Sequence, residues 1–177
     1  MNPTQFVRSH LEAYSAQLKG LGLVGENSGR KNFLFGPSVE FSDVLITAMR
    51  NVAVYPLLML EYPDSTTDDN SRTGTVERLS FGLSVLANVS AREEKQDIEG
   101  VIYGLCKPLL DQVIARLQYD SDERDLKDGC SFELHLENDY SGIWVGPVAN
   151  NVYGYRYSVN FRVYGRSFVF QPEMWNI

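Results

Sequence analysis

The apolar residues of this chain change their spacing between Leu79 and Leu117. Leu79, Phe81, Leu83 and Val85 alternate with Ser80, Gly82 and Ser84, the period of a half-buried strand. Further on, Ile98, Ile102, Leu105, Leu109, Val113 and Leu117 recur every three or four residues, the stripe of a helix lying on a core. Ser90-Ala91-Arg92-Glu93 fits a capping box at its start, so a helix is expected over about 91–118. Pro108 falls inside it and cannot donate to the carbonyl of Gly104, which predicts a kink near residues 104–108.

The same reading extends in both directions. Asn2, Pro3 and Gln5 make an N-cap, a first-turn proline and a capping partner for a first helix whose stripe is Val7, Leu11, Tyr14 and Leu18, ended by Gly20. Glycines at 20, 22, 25, 29 and 36 break up the next segment, with one short strand expected at Asn32 to Phe35. Ser42 and Asp43 cap a short helix to about Arg50. The apolar run VAVYPLLMLEYP suits a strand covered on both faces. Asp64 to Glu77 is polar and lacks apolar periodicity, so it reads as a long loop between strands. Tyr119 to Asp128 reads as a charged loop.

Toward the carboxyl end, Phe132, Leu134 and Leu136 oppose Glu133, His135 and Glu137. IWVGPV is a short strand or bulged segment, and Tyr153 to Val163 alternates as a long strand with Arg156, Ser158, Asn160 and Arg162 on its polar side. A last short strand is expected around Phe168 to Phe170. The sum is an α+β domain: an antiparallel sheet of about five to six strands, one long helix packed on it, and an N-terminal helical extension. Residues 1–177 read as one domain, with an extension (1–41), a core (42–170) and a tail (171–177).

Composition narrows the function classes. A net charge of -7 and a pI near 4.8 argue against a protein that wraps nucleic acid, whose affinity comes from Lys and Arg on phosphates. Cys106 and Cys130 are the two cysteines and form no CxxC, so neither a disulfide framework nor a zinc knuckle is encoded. The first residues hold no uninterrupted apolar run, and nothing approaches the ~20 residues of a bilayer span. Secretion by a standard signal and membrane embedding are not expected.

Catalytic vocabulary is sparse. His135 has only Glu133 and Glu137 on its own strand face as candidate co-ligands, fewer than a metal site requires. Cys106 lies beside the helical stripe, where a buried, inert thiol is the ordinary outcome. GLGLVG lacks the preceding strand that a dinucleotide-binding turn needs. Tyr140, Trp144, Tyr153, Tyr155 and Tyr157 cluster near the carboxyl end, and such rings serve core, subunit interface or ligand platform alike.

Taken in order, VYPLLMLEYP, the Asp64 to Glu77 loop, ERLSFGLSVLANVS, the helix from Ala91 to Leu117 and SFELHLEN…GIWVGPV…YGYRYSVNFRV resemble the tail-terminator and neck (head-to-tail completion) proteins of tailed phages. The resemblance covers roughly residues 42 to 165 and lies in pattern and order, not in an invariant motif. It implies a structural virion protein, assembled in the host cytoplasm into a cyclic oligomer, commonly a hexamer. Neighbouring tail, neck or portal proteins would be its partners, DNA would pass without sequence-specific binding, and no cofactor or catalysis would be needed. Interface residues expected on this reading are Asp64, Asp68, Asp69, Arg72, Tyr153, Tyr155, Arg156, Arg162 and Arg166. Asp64, Asp68, Asp69, Asp120, Asp122, Glu123, Asp125 and Asp128 would give a lumen that repels phosphates. The alternative is a non-catalytic module whose Tyr-rich sheet binds a glycan or peptide through Trp144 or Tyr155; a small enzyme is the third reading.

Overall fold

The computed structural model describes residues 2–22, 29–38, 49, 51–70, 74–89, 95–123, 125–129, 132–148 and 151–164. Helix α1 (Pro3–Gln17) begins where Asn2 Oδ1 accepts from the Gln5 N–H at 2.8 Å, and it buries Phe6, Val7, Leu11 and Tyr14. The strands are β1 (Lys31–Gly36), β2 (Ala53–Glu61), β3 (Asp64–Asn70), β4 (Gly74–Asn88), β5 (Lys127–Asp128), β6 (Phe132–Leu136), β7 (Ser141–Val148) and β8 (Val152–Tyr164). Between β4 and β5 run α2 (Lys95–Val101), a π-helical turn (Ile102–Cys106) and α3 (Lys107–Asp122).

All eight strands among the described residues join one sheet of an α+β fold, whose spine is β1-β2-β4-β8-β6-β5. The long β4 and β8 pair antiparallel from Glu77↔Val163 to Asn88↔Val152. Each shares its outer edge between two partners: β2 and β3 on β4, β6 and β7 on β8. The sheet is mixed, which corrects the purely antiparallel expectation, because β1 runs parallel to β2. A parallel pair needs a crossover of a dozen or more residues, and the chain between Gly36 and Ala53 is long enough for one. The helix expected over 42–50 falls mostly outside the described residues; Met49, Asn51 and Val52 are helical.

One face of the sheet carries Leu58, Leu60, Leu79, Phe81, Leu83, Val85, Val159, Phe161 and Val163 against α1 and α3, forming the main core. Alternation in β4, β6 and β8 therefore points where the sequence pattern placed it. A second cluster on the opposite side, at one end, joins Met49, Leu57, Met59, Leu86, Val145, Val148 and Val152.

Three expectations are revised. The segment Asp64 to Glu77 is not a loop: β3 and the start of β4 form a hairpin, paired from Asp64↔Ser80 to Asn70↔Gly74. Its backbone ladder needs no apolar face, so no alternation marks it; Asp64, Ser65, Thr66 and Thr67 are all exposed. Tyr119 to Asp122 is the last turn of α3, with Asp120 and Ser121 buried, and the chain leaves the helix only after Asp122, on its way to the two-residue β5. Finally, the helical stripe slips. The Lys107 N–H bonds the Ile102 carbonyl, five residues back, in the turn just before Pro108, where the proline cannot donate to Gly104. The wider turn rotates the residues beyond it, so Leu105 is 37% exposed while Cys106 and Leu110 are fully buried. The expected irregularity is there, in the form of a π-turn. The Ser90 capping box and the strand at Phe168 to Phe170 lie outside the described residues.

Candidate functional site: an aromatic strip and a polar hairpin

Strands β7 and β8 assemble the tyrosine cluster. Pairing of Gly142 with Tyr157 and of Trp144 with Tyr155 puts these residues on the face shared with the main core, since directly opposed residues share a side of the sheet. Glycine at 142 leaves room for the rings: a Cβ there would come within 2.5 Å of the Tyr157 ring and 2.7 Å of the Tyr155 ring, so a larger residue would displace them. The rings run edge to face along the sheet, Tyr140 to Tyr157 at 5.2 Å and Tyr157 to Tyr155 at 5.4 Å between centroids. Tyr103, from the π-turn, joins them 5.9 Å from Tyr155.

Helix α3 fixes this strip through one carboxylate. Asp111 takes the Tyr157 hydroxyl at 2.7 Å on one oxygen and Lys107 Nζ at 2.7 Å on the other. Burial, and then the hydrogen bond to Asp111, raise the Tyr157 phenol above its ordinary range; Asp111 first, and Tyr157 second, hold Lys107 protonated. Lys107 Nζ also sits 5.8 Å from the centre of the Tyr155 ring, a cation over an aromatic face.

Beyond Tyr155 the strip opens into a cleft of about 290 Å³ lined by Ile98, Glu99, Ile102, Tyr103, Trp144 and Tyr153. Trp144 is 54% and Tyr103 51% exposed, with Ile143 at 51% on the opposite side of β7. Exposed rings grouped around a concavity mark a contact surface more often than scattered ones do. Of the residues singled out in the sequence, Tyr153, Tyr155 and Trp144 are brought together here. Glu99 and Tyr103 were missed. Their spacing of four places them on one helical face, and Tyr103 is a large ring just off the stripe, which is the signal that would have found them.

The remaining candidates lie elsewhere. Asp64, Asp68 and Asp69 are on β3 of the hairpin, opposite Ser80, Val76 and Thr75 of β4, while Val85↔Tyr155 marks the strip. At ~3.4 Å per residue Asp64 lies roughly 17 Å from the strip along the ladder, and Asp68 and Asp69 roughly 31–34 Å. Arg156 is bound within the chain, its Nε and one terminal nitrogen meeting the two oxygens of Glu61 at 2.9 and 2.8 Å. Arg162 and Arg78 both meet Glu137, at 2.5 Å from Arg162 Nε. Arg72 and Arg166 lie outside the described residues. Asp120 is no lining acid: it is buried, accepts from the Tyr14 hydroxyl and meets Arg116 Nε at 2.8 Å, tying α1 to α3. Asp122, Glu123 and Asp125 are exposed, and Asp128 is half-buried.

His135 is a strand residue, 3.1 Å from Glu133 and edge-on to Tyr164. Among the described residues no three His, Cys, Asp or Glu side chains converge as metal ligands. Cys106 is fully buried, and burial pushes its thiol up to about 12, far from a nucleophilic thiolate. No described helix is long and apolar enough to cross a membrane. No protein-family model matches the chain, and comparison with curated proteins gives no match.

Proposed function

We propose that this chain is a ring-forming structural subunit of the tail-terminator or neck class of tailed phages, acting through packing and DNA passage. The observation that carries the reading is the presence of two unlike surfaces at opposite ends of one rigid ladder: the exposed aromatic strip around Trp144 and the polar β3–β4 hairpin. A cyclic oligomer with heterologous contacts needs such a pair, one surface for the preceding subunit and one for the next. The order of elements behind the resemblance supports it: an apolar strand (β2), a polar segment that folds as the β3–β4 hairpin, an alternating strand (β4), a long helix and then β6, β7 and β8. The acidic hairpin then lies near the axis, where it repels a passing duplex.

A mixing experiment tests the head-to-tail logic. Trp144→Glu disables the strip, and a chain whose hairpin is shortened to a tight turn disables the other surface. Each alone stays monomeric, whereas an equimolar mixture forms a heterodimer through its one remaining intact pair. A homodimer by either variant contradicts the arrangement. The aromatic cleft also favours a second reading, a non-catalytic module that binds a glycan or peptide; a monomer in which Trp144 fluorescence responds to such a ligand supports that one.

A further inference from the structure

We infer that neighbouring subunits share a sheet: the outer edge of β7 in one copy pairs antiparallel with the outer edge of β3 in the next. The proposal rests on the ring reading and names the contact within it.

Both edges are open, and only one is guarded. Among the described residues β7 is paired with β8 alone and β3 with β4 alone, so each presents a row of backbone donors and acceptors along its outer side. Natural sheets blunt such edges with charge, proline or a covering segment. On β3 the charge is there, as Asp64, Asp68 and Asp69, and two copies of β3 laid side by side would set like charges together. On β7 it is missing. Ser141–Val148 has no charged residue, Pro147 comes after the regular pairs that end at Val145, and exposed Ile143 and Trp144 flank the strand on its two faces. An edge of that kind accepts another strand by main-chain hydrogen bonds.

Direction and level select the partner. Strands β3, β4, β8 and β7 alternate in direction, so a copy carried sideways brings its β3 antiparallel to β7. Strand β1 runs the same way as β3 and also has an outer edge. Level decides between them. Leu34 of β1 reaches Ser84 through Met59, and Ile143 of β7 reaches the same Ser84 through Arg156, so β7 on β1 gives no stagger. A closed sheet needs one. Strand β3 supplies it: with Ser141–Val145 laid along Asp64–Asp68, Ile143 meets Thr66, whose own partner is Arg78, six residues of β4 from Ser84. Six residues are about 20 Å at strand rise, against about 19 Å for four strand spacings, so the strands tilt by about 45° from the ring axis. Closed barrels tilt by about 35–45°. Repeating this one heterologous contact closes the ring.

Two measurements test the pairing. Hydrogen exchange read by mass spectrometry compares the chain at concentrations where the ring is present and where it has dissociated. Exchange within Ser141–Val145 and Asp64–Asp68 is expected to slow by at least about tenfold on assembly, with Lys31–Gly36 unchanged. Protection of the β7 edge already in the dissociated chain, or protection of β1 in place of β3, overturns the pairing. Disulfide trapping reads the register. In a Cys106→Val, Cys130→Ser background, Ile143→Cys with Thr66→Cys is expected to oxidise to a ladder of covalent multimers ending at the ring size, because opposed Cα atoms of paired strands stand about 4.5–5.5 Å apart. Ile143→Cys with Leu34→Cys is expected to give none, and cross-linking through Leu34 in place of Thr66 overturns the choice of β3. A ring that assembles without slowed exchange at β7 and β3 refutes the shared sheet and leaves the ring reading intact. A wild-type chain that is monomeric at every concentration refutes the ring reading and the pairing together.

Discussion

Replacement of Arg156 by methionine separates a fold-holding role from an interface role. The Glu61 side chain is 5% exposed and that of Arg156 23%. The guanidinium grips both carboxylate oxygens and donates a third bond to Ser158 Oγ at 2.9 Å. Such bidentate, charge-assisted pairs are strong but costly to desolvate. Removing the arginine alone strands a buried carboxylate, and the expected loss is about 3–5 kcal/mol of folding stability. Removing both charges, as Glu61→Leu with Arg156→Met, takes away the attraction and the desolvation cost together, so the double variant is expected within about 1 kcal/mol of the parent. Chemical denaturation of all four proteins at one concentration gives the coupling directly. A single-variant loss below about 1 kcal/mol, or a double variant no better than the single, refutes the argument. The consequence for function is practical: reversing the charge of Arg156 damages the monomer, so a lost oligomer in that variant says nothing about an interface. Trp144, exposed on the aromatic strip, is the informative position.

The same packing carries further predictions. Gly82→Ala places a Cβ against the Glu61 carboxylate and the Arg156 guanidinium, and is expected to cost about 1–3 kcal/mol by displacing that pair; a neutral result in thermal unfolding contradicts the packing. Cys106 and Tyr14 both hold their protons more tightly when folded, chiefly through burial. A group whose folded pKa is raised contributes stability fully present below its unfolded pKa and lost as pH rises toward the folded value, so stability falls on raising the pH through about 9 to 12. The Cys106 share is on the order of 1 kcal/mol at pH 10, and Cys106→Val flattens that part of a pH series of denaturation midpoints; an unaltered slope contradicts it. Cys106 also resists thiol reagents until the chain unfolds, which a native-state labelling time course with mass spectrometry of the modified peptide reads directly.

Legibility of this fold in the sequence tracks burial. Where a strand buries one face, as in β4, β6 and β8, alternation located it and even assigned its inward residues. Helix α1 was visible from its cap. The hairpin of β3 was hidden because its ladder is held by backbone bonds between polar residues, which leave no period in the side chains. The short strand expected at Asn32 to Phe35 was located, as β1, but its direction was not, because a strand's own composition does not encode whether its neighbour runs parallel. In the long helix the π-turn shifted the stripe, so extrapolation from Ile102 named Leu105 and Leu109 where Cys106 and Leu110 are the fully buried residues. At the candidate site, the β7 and β8 rings were legible as a cluster. Their meeting with Tyr103 and Glu99 depends on how the helix crosses the sheet, which no local spacing encodes.

The claim that this chain works as a ring built from two unlike ends meets its most direct test in native mass spectrometry of the purified protein, paired with rotational averaging of negatively stained particles. A single cyclic species of defined subunit number, with an open centre, is the expected result. A monomer across the accessible concentration range, or a two-fold dimer joined strip to strip, contradicts it.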